Sequence, residues 1–243
     1  MSFLDPVQLK ELAHLASLSD REVRSDLAIG VIKDENDYTS NFTSALRRNI
    51  NSYSRSGLSA TSFLLQHGEE REVGADAAII LSRGNESKVA VFEAKWPRFA
   101  SPGYAWDYAQ TATGLSHFSD QLERQKRWHK SLAVFEMFYS EHPFGTQPSF
   151  LDESGSSCVW HEDTNAFRMQ RTRPDEVWSQ NDLERLLTVK RVSVSDVMTE
   201  FGLCNQGTPI PISEPRAIGE QFRLPSRVIA VKARGERVRM RTR

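Results

Sequence analysis

Asp76, Glu93 and Lys95 are the residues whose types and spacing could do chemistry. Asp76 opens a short apolar run, Ala77-Ala78-Ile79-Ile80-Leu81. Phe92-Glu93-Ala94-Lys95-Trp96 closes the next run, which begins at Val89. Both runs have the length and apolarity of buried strands. The intervening loop, Ser82 to Ser87, holds Gly84 and Asn85, the turn chemistry of a hairpin. Asp76 and Glu93 then fall near one end of two adjacent antiparallel strands. Glu93 and Lys95 are two apart and project from one face. Two carboxylates and an ammonium in one place are what a divalent-metal hydrolase requires. The blander alternative is a hairpin with ordinary surface acids; against it stands the cost of placing Glu and Lys in buried apolar runs.

The surrounding pattern supplies elements to hold these groups. A helix over residues 6–18 begins at Pro6 and aligns Leu9, Leu12 and Leu15. A second, from about Asp34 to Tyr53, repeats Phe42, Leu46, Ile50 and Tyr53 at helical intervals and stops by Gly57. Thr61 to Gln66 reads as a first strand, before the polar run His67 to Glu72. Pro97, Pro102 and Gly103 break the chain after the motif. Tyr104 to Lys130 reads as mostly helical with an interruption at Gly114, and Leu132 to Tyr139 as a fourth strand. Helix, three strands, helix, strand implies an α/β fold with a central mixed sheet of four to five strands flanked by helices. Beyond Ser140 the pattern thins to a short strand over 156–161, a helix over 181–189 and a strand over 227–231. The division is an N-terminal helical extension (1–30), a core (31–140) and a C-terminal extension with a basic end (141–243).

Composition narrows the class. No apolar run approaches the roughly 20 residues of a bilayer span. The N-terminus lacks a basic segment followed by an apolar core, so no signal peptide is expected. Two cysteines, Cys158 and Cys204, make no disulfide framework and fit a reducing, cytoplasmic setting. The net charge of −1 is unevenly spread: Arg216 to Arg243 holds nine basic residues against Glu220 and Glu236, a net +7, which leaves −8 for the rest. A basic end on an acidic body fits a polyanionic partner, or a solvated tail.

The order of elements, with Asp76 and Glu93-Ala94-Lys95 at these positions, resembles the PD-(D/E)xK nuclease superfamily over roughly residues 33–140. The resemblance implies the restriction-endonuclease-like fold. Glu35, in Glu35-Asn36-Asp37-Tyr38-Thr39, stands where many members carry an additional acid near the metal. Gln121 and Gln125 lie on the helix after the tripeptide strand, where members often place a glutamine. Ala75 stands where the name's proline would be, a residue without chemistry. Glu69, Glu70 and Glu72 just precede Asp76 and compete for its assignment.

The resemblance implies phosphodiester hydrolysis with Mg²⁺, or Mn²⁺ in its place. Asp76 and Glu93 would be ligands, the Ala94 carbonyl a third oxygen, and Glu35 an outer-sphere or second-metal partner. Lys95 would orient or deprotonate the attacking water, with its pKa lowered by burial and the metal. Gln121, or less readily Gln125, would position Lys95 or substrate. Each has a plainer role open to it: Glu35 complementing a helix dipole, the glutamines on a solvated helix face. DNA is the implied substrate, in prokaryotic defence or a mobile element, with a homodimer or a defence-system protein as partner. A catalytically silent nucleic-acid-binding scaffold and an RNA-cleaving effector are the alternatives. Trp96, Tyr104, Trp106 and Tyr108 would line the cleft or fill the core. Cys158 and His161 have a zinc-like spacing but lack the further ligands of a structural site.

Overall fold

The computed structural model describes residues 2–65, 74–101 and 103–234. Gln66, Glu69, Glu70, Glu72 and the arginines from 237 on lie outside that range. The described residues form seven helices and one seven-stranded mixed sheet. In chain order they are α1 (Pro6–Ala28), α2 (Glu35–Tyr53), β1 (Leu58–Leu64), β2 (Ala77–Arg83), β3 (Glu86–Lys95), α3 (His117–Gln125) and β4 (Ala133–Phe138). Then come β5 (Ser157–Trp160), α4 (His161–Gln170), α5 (Gln180–Lys190), β6 (Val192–Ser193), α6 (Val194–Gly202), α7 (Pro215–Gln221) and β7 (Arg227–Ala233).

The sheet runs β1-β7-β2-β3-β4-β5-β6. β7 is antiparallel to β1 and parallel to β2, and β3 is antiparallel to β2 and parallel to β4. The sheet is therefore wider than the four to five strands expected. Three of its strands come from residues 141–243, the span expected to be an extension, and one of these lies between β1 and β2. One face packs Phe92 and Phe135 against Phe42 and Leu46 of α2, Leu12 of α1 and Phe201 of α6. The other packs Val91, Val134 and Val228 around Ile218 of α7, and Phe138 and Val159 around Phe118 of α3 and Leu183 of α5. Alternation along β3 puts Phe92 on the first face and Glu93 and Lys95 on the second.

The β2–β3 turn is tighter than the six-residue loop expected. Arg83 pairs with Glu86, Ser82 with Ser87, and only Gly84 and Asn85 make the turn. Gly84 has φ +63°, the conformation that the first position of a tight hairpin turn favours in glycine. Behind it Lys88 is fully buried and donates to the carbonyls of Phe201 and Gln206, which fastens the end of α6 to β3.

Two helix expectations change. α1 continues well past residue 18 because its second half has buried partners. Asp20 accepts from Tyr38 Oη at 2.7 Å and Ser156 Oγ at 2.6 Å, and Arg24 donates to the carbonyls of Asp152, Gly155 and His142. Of Tyr104 to Lys130, only His117–Gln125 is α-helix. Gly114 has φ +70°, and the Asp107 carboxylate takes the hydrogen bonds of Ser116 Oγ, Phe118 N and Trp178 N, which favours a folded loop over residues 104–116. The basic end, as far as Arg234, is α7 and β7. Arg216 lies over the Phe63 ring and Arg227 donates to Asn36 Oδ1 at 3.4 Å. No helix among the described residues is long and apolar enough to cross a membrane.

Candidate active site

The hairpin register brings Asp76 opposite Glu93. Ala77 pairs with Phe92, and Asp76 N–H donates to the Phe92 carbonyl at 2.9 Å. The Asp76 carboxylate then reaches one strand over, and its Oδ2 accepts from Ala94 N at 2.8 Å. Glu93 is 3% and Lys95 8% exposed, and Lys95 Nζ donates to Glu93 Oε1 at 2.5 Å. Gln121, one turn into α3, donates its Nε2 to the same Glu93 oxygen. Its Oε1 is buried without a hydrogen-bond partner. Glu35, the first residue of α2, accepts from Trp96 N at 2.9 Å just beyond Lys95. Thr39 Oγ1 donates back to the Glu35 carbonyl at 3.0 Å. All five residues expected at the site thus meet at the floor of one cleft of about 550 Å³. A second cleft of about 400 Å³ opens on Asp76, Glu93 and Gln121 from the side of Gly74, Asp120 and Arg124.

The electrostatics follow from crowding three acids around one base, with Glu93 and Lys95 buried. Burial pushes Glu93 up to about 8; Asp76 and Glu136 add to the shift, and Lys95 opposes it. Burial also raises Asp76, to about 6, with Lys95 and the Ala94 N–H pulling the other way. Burial alone would lower Lys95, but Glu93, Glu35 and Asp76 outweigh it and hold the amine above its ordinary value. These carboxylates therefore favour the ammonium form of Lys95, whereas the lowering expected from sequence depends on a bound metal as well as on burial. His117, on the cleft wall, is lowered by burial and by the charges of Lys95 and Arg124.

Glu93 Oε2 and Asp76 Oδ1 accept no hydrogen bond among the described residues, so each carboxylate keeps one oxygen for a ligand. Among those residues no three His, Cys, Asp or Glu side chains gather into a group able to hold a metal. Two carboxylates completed by carbonyl oxygens and water suit Mg²⁺, which takes few protein ligands and keeps several waters. The unpartnered Gln121 Oε1 and the reluctance of both acids to ionise fit the same cation. Glu35, engaged by the Trp96 amide, fits the outer position better than the inner one.

The aromatic residues divide. Trp106 is buried in the core and also borders the cleft, Trp96 packs against the core and lines the cleft, and Tyr104 and Tyr108 line it with Arg98. Cys158 faces the core, where burial pushes its thiol up. His161 points the other way: its Nδ1 lies 3.0 Å from Gln125 Oε1, and Gln125 Nε2 donates to the Gly74 carbonyl. That acceptor carbonyl fixes the Gln125 amide, so His161 Nδ1 carries the proton. Glu136, beside Glu93 in the β3–β4 register, is fully buried with neither oxygen hydrogen-bonded, 3.6 Å from His161. The sequence reading does not single out Glu136, although an acid inside the apolar run 132–139 carries the signal that marked Glu93.

Scans against protein-family models, curated proteins and solved structures found no match to the chain.

Proposed function

We propose that this protein is a divalent-metal-dependent phosphodiesterase that hydrolyses nucleic acid, DNA in the first place. The observation that supports it best is Glu93 Oε1 receiving both Lys95 and Gln121 on the floor of a cleft shared with Asp76 and Glu35. A lysine and a glutamate joined at 2.5 Å and buried together are costly unless they serve a site. A bound Mg²⁺ would lower the pKa of water and draw charge from phosphate oxygens. Asp76 Oδ1 and Glu93 Oε2, which accept no hydrogen bond among the described residues, are the carboxylate oxygens that would hold it.

The remaining chemistry belongs to side chains. Lys95, kept protonated, donates to a phosphate oxygen as negative charge grows in the transition state. Gln121 fixes the Glu93 rotamer through its amide N–H, and its free Oε1 accepts a hydrogen bond from the attacking water. That water's oxygen bonds to phosphorus as the bond to the leaving oxygen breaks; the proton the water sheds goes to solvent, and the leaving oxygen takes one from solvent. Glu35 holds the Trp96 amide, which keeps the end of β3 and hence Lys95 in place. A cytoplasmic role in prokaryotic defence or in a mobile element, as a homodimer or with a partner protein, belongs to the same proposal.

The test is incubation with supercoiled plasmid, linear DNA and RNA in Mg²⁺, Mn²⁺ or EDTA, beside Asp76→Ala and Lys95→Ala. Metal-dependent cutting by wild type, reduced by roughly 10²-fold or more in each variant, is expected. Equal cutting by all three proteins would overturn the assigned site. Binding without cutting would favour a scaffold, and cutting of RNA alone an RNA-directed effector.

A further inference from the structure

The cleft above Glu93 has an aromatic wall that hydrolysis of a phosphodiester does not itself use. Tyr104 is 42% and Tyr108 57% exposed. Single exposed aromatics are ordinary, but these two line one cleft beside the candidate centre. The Tyr108 ring lies parallel to His117, with centroids 4.7 Å apart and an interplanar angle of 18°. His117 N–H donates to the Tyr108 carbonyl at 2.9 Å, so the pair is fixed by backbone as well as by stacking. Near it, the Arg98 guanidinium lies 4.5 Å from the Trp96 ring and 4.9 Å from the Tyr104 ring.

The segment carrying Arg98 is built to stay there. Glu141 accepts from Trp96 Nε1 at 2.9 Å and from Ala100 N at 2.7 Å, fastening it on both sides of Arg98. Arg98 itself has φ +52°, a left-handed conformation that costs a non-glycine residue on the order of 1 kcal/mol and persists only under such restraint.

We propose that this wall is a stacking subsite for unpaired nucleobases next to the scissile phosphate, and that the preferred substrate is single-stranded DNA. The proposal rests on the phosphodiesterase reading for its substrate class and names which form of that substrate binds. The face of a base is available to a tyrosine only when the base is unpaired. A duplex offers phosphates and groove edges instead. Stacking on an aromatic ring is worth about 1–3 kcal/mol per base and tolerates any sequence. Arg98 adds a planar cation that stacks and meets a neighbouring phosphate. The centre stands where two clefts meet, and among the described residues only one carries the aromatic wall. A single strand crossing the centre therefore has its bases held on one side of the cut.

Binding in EDTA tests this without turnover. Fluorescence anisotropy compares a labelled oligo(dT) 20-mer with a blunt duplex of equal length, for wild type, Tyr104→Ala, Tyr108→Ala and Tyr108→Phe. Both tyrosines are exposed, so the variants should melt as wild type does. The expected result is tighter binding of oligo(dT) than of duplex. Either alanine variant should lose about 5- to 150-fold for oligo(dT). Tyr108→Phe should stay near wild type, and duplex binding should not change. Oligo(dT) affinity within twofold of wild type in both alanine variants would overturn the subsite. So would no binding of oligo(dT), or duplex binding at least as tight. Tyrosine-dependent binding with no Lys95-dependent cutting of any substrate would sink the phosphodiesterase reading and leave the subsite standing. Lys95-dependent cutting with tyrosine-independent binding would do the reverse.

Discussion

Glu93 sits in the environment a carboxylate resists most, buried with Asp76 and Glu136 as like-charged neighbours. Its folded-state value, about 8, and that of Asp76, about 6, both lie above their ordinary ones. For acids shifted this way, the stability they contribute is full below the unfolded value near 4. It is lost as pH rises through the two folded values. A divalent cation reverses the penalty, because it binds the ionised forms and releases their protons. In EDTA, wild type should therefore lose stability relative to Glu93→Gln between about pH 4.5 and pH 8. Mg²⁺ at about 100 times its dissociation constant should restore about 2.7 kcal/mol to wild type at high pH. The gain should be smaller near pH 6 and absent in Glu93→Gln. Thermal melts with and without Mg²⁺ at three pH values check this; a Mg²⁺ effect equal in both proteins would place the cation elsewhere. These residues were legible in the sequence because a charge that interrupts a buried run must be explained. The ion pair that keeps Lys95 protonated was not legible, since the balance of burial against three carboxylates depends on distances.

At the scale of elements, α3 does more than cover the sheet. Gln121 and Gln125 are one turn apart, so both face the hairpin. The first holds Glu93 and the second holds the Gly74 carbonyl, two residues before Asp76. Gly74 has φ +68°, and a Cβ there would stand 3.0 Å from the Gln121 carbonyl. Glycine lets the turn press against α3, and the two glutamines register the helix on both acid-bearing strands. Gly74→Ala should cost upwards of 1 kcal/mol through backbone strain and reduce Lys95-dependent cutting more than it reduces stability. Gln125→Leu strands the Gly74 carbonyl and the His161 Nδ1–H, for about 1–3 kcal/mol. Denaturant melts and cutting rates on both variants check these; a Gly74→Ala protein as stable and active as wild type would show the turn is not a positioning device. The hairpin and α2 could be read from periodicity and turn residues. The loop over 104–116 could not, because the Asp107 contacts that fold it run to Ser116, Phe118 and Trp178. Helical spacing in that stretch was lost to tertiary hydrogen bonds.

For the whole molecule the central fact is β7, made of residues 227–233 yet lying between β1 and β2. A run of seven residues with Val228, Ile229, Ala230 and Val231 announces a strand. Nothing local announces its partners, because its parallel neighbour lies over a hundred residues earlier. The expected core of 31–140 is therefore open in its middle without the C-terminal segment. Its first helix is likewise fastened from outside: Glu11 of α1 accepts from Ser54 Oγ at 2.6 Å and Ser56 N at 3.0 Å. Arg227, at the start of β7, also sets a positive charge toward Asp76 that partly offsets its upward shift, so the basic end and the acid site share one structure. Burial of Val228, Ile229 and Val231 alone is worth about 1.5–3 kcal/mol each, against a net stability of about 5–15 kcal/mol for a whole domain. Ending the chain after Ser226 should therefore abolish the cooperative melt, and residues 31–140 alone should behave as an unfolded or aggregating chain. Circular dichroism melts of both fragments check this. Adding residues 227–234 as a separate peptide should not rescue either fragment at micromolar concentration, because association costs several kcal/mol that the continuous chain avoids. A cooperative transition from residues 31–140 alone would mean that β1 pairs directly with β2 when β7 is missing, and that the C-terminal strand is inserted into a sheet already able to stand.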